Sequence, residues 1–280
     1  MKKIGIIGCG QMGGGIAQLC AQNGFPTLVN EVSQEFLNKG LDRIKANLSK
    51  NVEKGKLTKE AMEKTMSNLK GTAKLEDFRD VDIAIEAVIE NFDEKKRVFS
   101  TLDKICPAGA ILATNTSSIS IMDIASTTKR PDKVIGMHFF NPVPIMNLVE
   151  IVLGLQTSNE TYTAIKELSA SLGKAIVTTK DRPGFIVNYL LIPYLLDAIR
   201  TLESGTATKE DIDTAMKNGC NMPMGPLTLS DFIGNDTVLY IANVLYEGFK
   251  ETKYVAPPLL KQMVTAGLLG KKTGKGFYGY

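Results

Sequence analysis

The sequence predicts a doubly wound α/β domain built on a mostly parallel sheet, followed by an all-helical domain. Three observations predict it. Short β-branched runs alternate with amphipathic stretches through the first two-thirds of the chain. The first of those runs opens directly into a glycine-rich turn. After Arg182-Pro183-Gly184 strand patterns nearly vanish and apolar residues recur at helical spacing.

In chain order, the strand candidates are Ile4-Gly5-Ile6-Ile7, Thr27-Leu28-Val29, Val81 to Ile85, Ala110 to Ala113 and Val134 to Met137. Each is short and nearly all apolar, as a strand covered on both faces must be. Gly14 to Gln22 and Asp93 to Ile105 are amphipathic and read as covering helices. Residues 33–69 are long, lysine-rich and helical by composition, with a break near Gly55. They predict a helical hairpin projecting from the sheet. Beyond the boundary, Ile186, Leu190, Ile192 and Leu196 share a helical spacing. Ser204-Gly205 ends that helix, Thr208 to Asp211 starts the next, and Leu227 to Phe249 returns to helical patterning. The expected domains are therefore 1–183 and 184–280.

Bulk properties exclude several classes. The 280 residues carry a net charge of only +3, with lysines alternating with acidic residues, which argues against nucleic acid as a partner. The four cysteines (Cys9, Cys20, Cys106 and Cys220) show no metal-site or redox spacing and read as reduced thiols, so no metal is expected. The most apolar late stretch, Gly184 to Ile199, contains Asn188, Pro193 and Asp197 and is a poor membrane span. The first apolar run, behind Lys2-Lys3, breaks at once into glycines rather than continuing as a signal peptide. A soluble cytoplasmic protein is expected.

Two features carry chemistry. Gly8-Cys9-Gly10-Gln11-Met12-Gly13 follows a strand and opens a helix, the arrangement in which backbone amides hold a dinucleotide pyrophosphate. Glu31, near the end of the next strand and twenty-three residues after Gly8, is placed to accept ribose hydroxyls. Its charge would repel a ribose phosphate, which favours NAD over NADP. The second feature is the single histidine, His138, at the carboxyl edge of a core strand. Twelve residues on, Glu150 interrupts the otherwise apolar run Leu148-Val149-Glu150-Ile151-Val152. A buried carboxylate needs a partner, and an imidazole that it orients becomes a general base. Together these features predict proton transfer beside a nicotinamide. A Glu on an exposed strand face is the alternative that the residue pattern leaves open.

The chain resembles the short-chain 3-hydroxyacyl-CoA dehydrogenases along essentially its whole length. The resemblance rests on Ile7 to Ala17, Asn115-Thr116-Ser117-Ser118, Met137 to Pro142 and Leu148-Val149-Glu150. It continues through Pro183 to Asn188, Pro223-Met224-Gly225-Pro226 and Gly274 to Tyr278. It implies a Rossmann-type NAD-binding domain and a helical substrate and dimerisation domain. It also implies reversible oxidation of a 3-hydroxyacyl-CoA, such as 3-hydroxybutyryl-CoA, to the 3-oxo compound. His138 would be the base and Glu150 its support, with Ser117 and Asn188 on the substrate oxygen. Gly8, Gly10, Gln11, Met12, Gly13 and Glu31 would hold NAD, with Glu90, Lys95 and Asn115 on its nicotinamide-ribose side. Asn141 falls on the substrate side, and Lys50 and Lys54 match positions that meet the phosphates of CoA. The resemblance further implies a homodimer joined through the helical domains.

The sequence departs from the family pattern in places. Members commonly carry Asp where this chain has Glu31, and Asn218 to Pro223 and Pro257 to Leu260 lack histidines expected in many relatives. The same scaffold serves dehydrogenases of other hydroxyacyl-CoAs and of free hydroxy or sugar acids. From another class, a non-catalytic NAD-binding protein would keep the glycine turn without needing His138 and Glu150 together.

Overall fold

A computed structural model describes residues 2–280, which divide into two compact units, 2–182 and 183–280. In the first unit β1 (Ile4–Ile7) runs into α1 (Gln11–Gln22), and β2 (Thr27–Asn30) into α2 (Gln34–Glu53) and α3 (Lys59–Ser67). Then come β3 (Leu69–Thr72), β4 (Ile83–Glu86), α4 (Phe92–Ile105), β5 (Ile111–Thr114) and the short α5 (Ile121–Ala125). The unit closes with β6 (Val134–Phe139), β7 (Leu148–Leu153), α6 (Asn159–Ser171) and β8 (Ala175–Lys180). One eight-stranded sheet results, in the order β3-β2-β1-β4-β5-β6-β7-β8. Every pairing is parallel except β6 with β7. The order reverses between β1 and β4, so their carboxyl ends flank the crevice where such sheets bind ligands.

The predicted α/β class holds, and the boundaries of several elements shift. The strand expected to stop at Met137 continues to Phe139, so His138 lies within β6 rather than after it. β4 ends at Glu86, and its last residue is a fully buried carboxylate. Two edge strands are additional. β3 (Leu-Lys-Gly-Thr) is mostly exposed and lacks the apolar run of a central strand. β8 lies half-exposed at the opposite edge, although Ile176, Val177, Thr178 and Thr179 are β-branched and carried the signal.

The hairpin of residues 33–69 does not project from the sheet as expected. It is the crossover from β2 to β3, and Leu37, Ile44 and Leu48 of α2 sit in the core with Ile16, Leu19 and Val29. Ser33 and Thr58 cap its two helices, each accepting a backbone N–H from three residues on. Gly40 allows α2 this close to the glycine-rich turn, since a Cβ there would stand 2.6 Å from the Cys9 carbonyl oxygen.

The second unit is helical: α7 (Val187–Glu203), α8 (Lys209–Gly219), α9 (Pro226–Ile233), α10 (Asn235–Phe249) and α11 (Pro258–Thr265). The helical patterning from Leu227 to Phe249 is carried by two helices, divided at Gly234, whose φ of +101° a side chain would resist. Leu190, read as part of the buried stripe of α7, is exposed, and the stripe is Ile192, Leu195, Leu196 and Ile199. Asp231 anchors the chain end by accepting the N–H groups of Phe277 and Tyr278. Among the described residues no helix is long and apolar enough to cross a membrane.

Candidate active site

The glycine turn is shaped by close backbone approach. Gly8 has φ +96°, and a Cβ on it would lie 2.7 Å from the Ala87 carbonyl oxygen, across the crevice between β1 and β4. A Cβ on Gly13 would lie 2.0 Å from the Gly8 carbonyl oxygen, so only glycine closes the turn onto α1. Gly10 differs: a Cβ there meets nothing within 4 Å. It caps α1 without a side-chain hydrogen bond, leaving first-turn N–H groups of a twelve-residue helix for an anion. Glu31 follows β2 directly, and its two carboxylate oxygens accept the Cys9 N–H at 2.8 Å and the Val32 N–H at 2.9 Å. The carboxylate is thereby fixed beside the turn. An uncapped helix end, an open glycine and an adjacent fixed carboxylate fit a dinucleotide with an unsubstituted ribose.

Along the same carboxyl edge, the segment after β5 is organised by Glu90. One of its oxygens accepts the N–H groups of Ser117 and Ser118 at 2.8 and 3.0 Å, and the hydroxyls of Thr116 and Ser118 at 2.6 and 2.8 Å. The Ser117 hydroxyl lies 3.3 Å from the same oxygen. Burial pushes the Glu90 carboxyl up, but the Lys95 ammonium and these donors outweigh it and leave its pKa lowered. The cap of the following helix is Ser120, whose hydroxyl accepts from the N–H groups of Met122 and Asp123 at the start of α5. Lys95 is buried, with its ammonium 2.6 Å from Glu86 and 3.2 Å from Glu90. It therefore lies beneath the Glu90 carboxylate rather than open to the crevice. Asn115 accepts the Phe139 N–H at 2.8 Å and so ties the ends of β5 and β6 together beside His138.

His138 and Glu150 face each other across the single antiparallel pairing, in direct register. The His138 Nδ1 lies 2.7 Å from a Glu150 carboxylate oxygen, and Glu150 is fully buried, so the exposed-face alternative does not hold. The carboxylate only accepts, so Nδ1 carries the hydrogen and Nε2 is the basic nitrogen. Phe140 packs on the imidazole at 4.6 Å between ring centroids. Gln11 donates to Asn141 at 3.0 Å, linking the start of α1 to the loop after β6. Lys50 and Lys54 are exposed at the end of α2. Met12 is half-buried in the first turn of α1. Asn188 belongs to the second unit, where it is buried in the first turn of α7. Glu86, buried at the end of β4, is the charged group that sequence reasoning passed over. Its signal was a lone carboxylate closing an apolar strand, the same signal that singled out Glu150.

Residues 3–182 match the NAD-binding domain of the 3-hydroxyacyl-CoA dehydrogenases, and residues 184–280 match the C-terminal domain of the same family. The chain belongs to the 3-hydroxyacyl-CoA dehydrogenase family. It is 50% identical over 278 residues to a 3-hydroxybutyryl-CoA dehydrogenase of Clostridioides difficile, covering 99% of each chain. It is 42% identical to the human mitochondrial hydroxyacyl-coenzyme A dehydrogenase, covering 100% of this chain and 91% of that one. The crystal structure of an (S)-3-hydroxybutyryl-CoA dehydrogenase from Ralstonia eutropha superposes with a TM-score of 0.96 at 45% identity, covering 100% of this chain and 99% of the other. Membership in this dehydrogenase family makes the enzyme an NAD-dependent oxidoreductase.

Proposed function

We propose that the enzyme interconverts 3-hydroxybutyryl-CoA and acetoacetyl-CoA, with His138 as the acid and base. The observation that carries this reading is the buried His138–Glu150 pair on the strand edge that also bears the glycine cradle. NAD, when bound, supplies the hydride acceptor. In oxidation the Nε2 of His138 takes the hydroxyl proton as the C–H bond gives up its hydride, and the imidazolium returns that proton in reduction. Glu150 holds Nδ1–H throughout and supports the positive charge on the ring. Ser117 and Asn188 are assigned to the substrate oxygen, since a hydroxyl and an amide can serve both the alcohol and the ketone. Asn141 contributes to the substrate side.

Gly8, Gly10, Gln11, Met12, Gly13 and Glu31 bind the cofactor. Glu90 and Asn115 shape its nicotinamide side, and Lys95 acts there through Glu90. Lys50 and Lys54 meet the CoA phosphates. The enzyme works as a homodimer through its helical units, where Leu190, Phe232 and Tyr240 expose apolar surface. It works in the cytoplasm, in keeping with four unpaired cysteines, Cys220 among them exposed.

Spectrophotometric oxidation of NADH with acetoacetyl-CoA, a longer 3-oxoacyl-CoA and free acetoacetate tests the reading. Acetoacetyl-CoA should give the highest kcat/KM. Better turnover of the free acid, or none of any thioester, would overturn it.

A further inference from the structure

Glu86 is the last residue of β4 and has no exposed surface. It lies outside the groups assigned above to cofactor or substrate, yet it makes four polar contacts. One carboxylate oxygen accepts the Lys95 ammonium at 2.6 Å and the Val88 N–H at 2.7 Å. The other accepts the Thr114 hydroxyl at 2.7 Å. Its backbone carbonyl accepts the Asn115 N–H at 2.8 Å.

Two of these contacts lead to the same place by different routes. Thr114, itself fully buried, accepts the Thr116 N–H at 3.1 Å. Lys95 reaches on to Glu90 at 3.2 Å, and Glu90 gathers the donors of Thr116, Ser117 and Ser118. A buried carboxylate and a buried ammonium are each costly alone, so neither is retained without its partner. Glu86, Lys95 and Thr114 are all buried and joined by hydrogen bonds, and a satisfied buried polar network holds its members in place.

We propose that Glu86 is a positioning residue for the Ser117 loop, acting through Thr114 on one side and through Lys95 and Glu90 on the other. Its Val88 contact fixes the segment that carries Glu90, while its Thr114 contact fixes the segment that carries Ser117. One carboxylate thus sets the spacing between the two loops on either side of the β4–β5 edge. Its effect on turnover rests on the role given to Ser117 above, whereas its effect on the loop does not.

The test uses the full-length enzyme with Glu86→Gln, which keeps the shape and removes the charge facing Lys95. A second variant, Thr114→Val, cuts one arm and leaves the ion pair, and Thr114→Ser restores the hydroxyl. Hydrogen exchange of the 116–118 amides should quicken by about tenfold or more in Glu86→Gln and in Thr114→Val, and return toward the parent in Thr114→Ser. Because the residues act as one unit, Ser117→Ala should lower kcat by about tenfold or more in the parent but only about threefold or less in the Glu86→Gln background.

Unchanged exchange at 116–118 in either disrupting variant overturns the proposal. So does a loss of kcat on Ser117→Ala that is equally large in both backgrounds, the mark of a general structural role. If Glu86→Gln does not fold, the Thr114 pair decides by the same exchange reading. A Ser117→Ala enzyme with parental kcat would overturn the substrate role of Ser117, and the exchange result would still stand for the loop.

Discussion

His138 and Glu150 are cross-strand partners, paired Cα to Cα in the only antiparallel step of the sheet and joined at 2.7 Å. Strand register, rather than a loop, therefore sets the imidazole. A base held this way keeps its tautomer and orientation without substrate. His138→Gln should lower kcat by ~100- to 10,000-fold, the usual contribution of general acid-base catalysis, with NADH affinity nearly intact. Glu150→Gln should also slow turnover, by removing the charge behind the imidazolium. Steady-state kinetics across a full pH profile check both. Near-parental rates in either variant would contradict the dyad.

The glycines of the turn separate folding from binding. Gly10→Ala meets no protein atom, and φ −67° with ψ −162° is open to alanine. Its melting temperature should stay near that of the parent, whereas NADH affinity should fall by about tenfold or more, roughly 1.4 kcal/mol per decade. Gly13→Ala drives a methyl into the Gly8 carbonyl and should destabilise the protein itself. Fluorescence titration with NADH and thermal melts distinguish the two. Tight NADH binding by Gly10→Ala would place the pyrophosphate elsewhere.

Glu31 should set cofactor choice. Its carboxylate is fixed by the Cys9 and Val32 amides, so it cannot swing aside for a ribose phosphate. The parent should strongly prefer NADH to NADPH, and Glu31→Ala should weaken NADH binding and narrow that preference. Comparable kcat/KM values for the two cofactors in the parent are the outcome that rules this out.

Lys50 and Lys54 stand one turn apart and exposed at the end of α2. Replacing both with Ala should raise KM for acetoacetyl-CoA more than it lowers kcat, the pattern of lost uniform binding. Added salt should weaken the parent more than the variant, since exposed contacts are screened over ~8 Å at physiological ionic strength. An acetoacetyl thioester without the nucleotide should show little difference between them. Unchanged kinetics at low salt would make the lysines a solvated surface only.

Glu90 should contribute an acid-sensitive share of stability. Its folded pKa lies below the ordinary 4.5, because the Lys95 ammonium and the 116–118 donors outweigh burial. A depressed carboxyl stabilises the fold above its unfolded pKa and loses that contribution as pH falls through the folded value. The gap in melting temperature between the parent and Glu90→Gln should thus be widest above about pH 4.5 and close in stronger acid. A gap that is constant down to pH 3, or that widens there, would mean that the ion pair is not the source.

The sequence by itself determined the α/β class, the glycine cradle and the candidacy of His138 and Glu150. These are local matters: an apolar run, a turn that only glycine can close, and a carboxylate where an apolar residue should be. What it could not determine was pairing. The edge strand β3 carries Lys70 and Gly71 and takes its shape from hydrogen bonds to β2, so its own residues gave little sign of it. The hairpin of residues 33–69 was legible as two helices, but its packing into the core depends on Gly40 meeting Cys9, more than thirty positions away. Glu86 shows the same division most plainly. Its charge was visible in the chain, but its partners Lys95 and Thr114 come from two different elements, and only the parallel packing of β4 on β5 with α4 beside them brings those groups within hydrogen-bonding reach. Polar interactions act over about 3 Å while the chain distances involved are tens of residues, so tertiary structure alone decides which buried charges find each other.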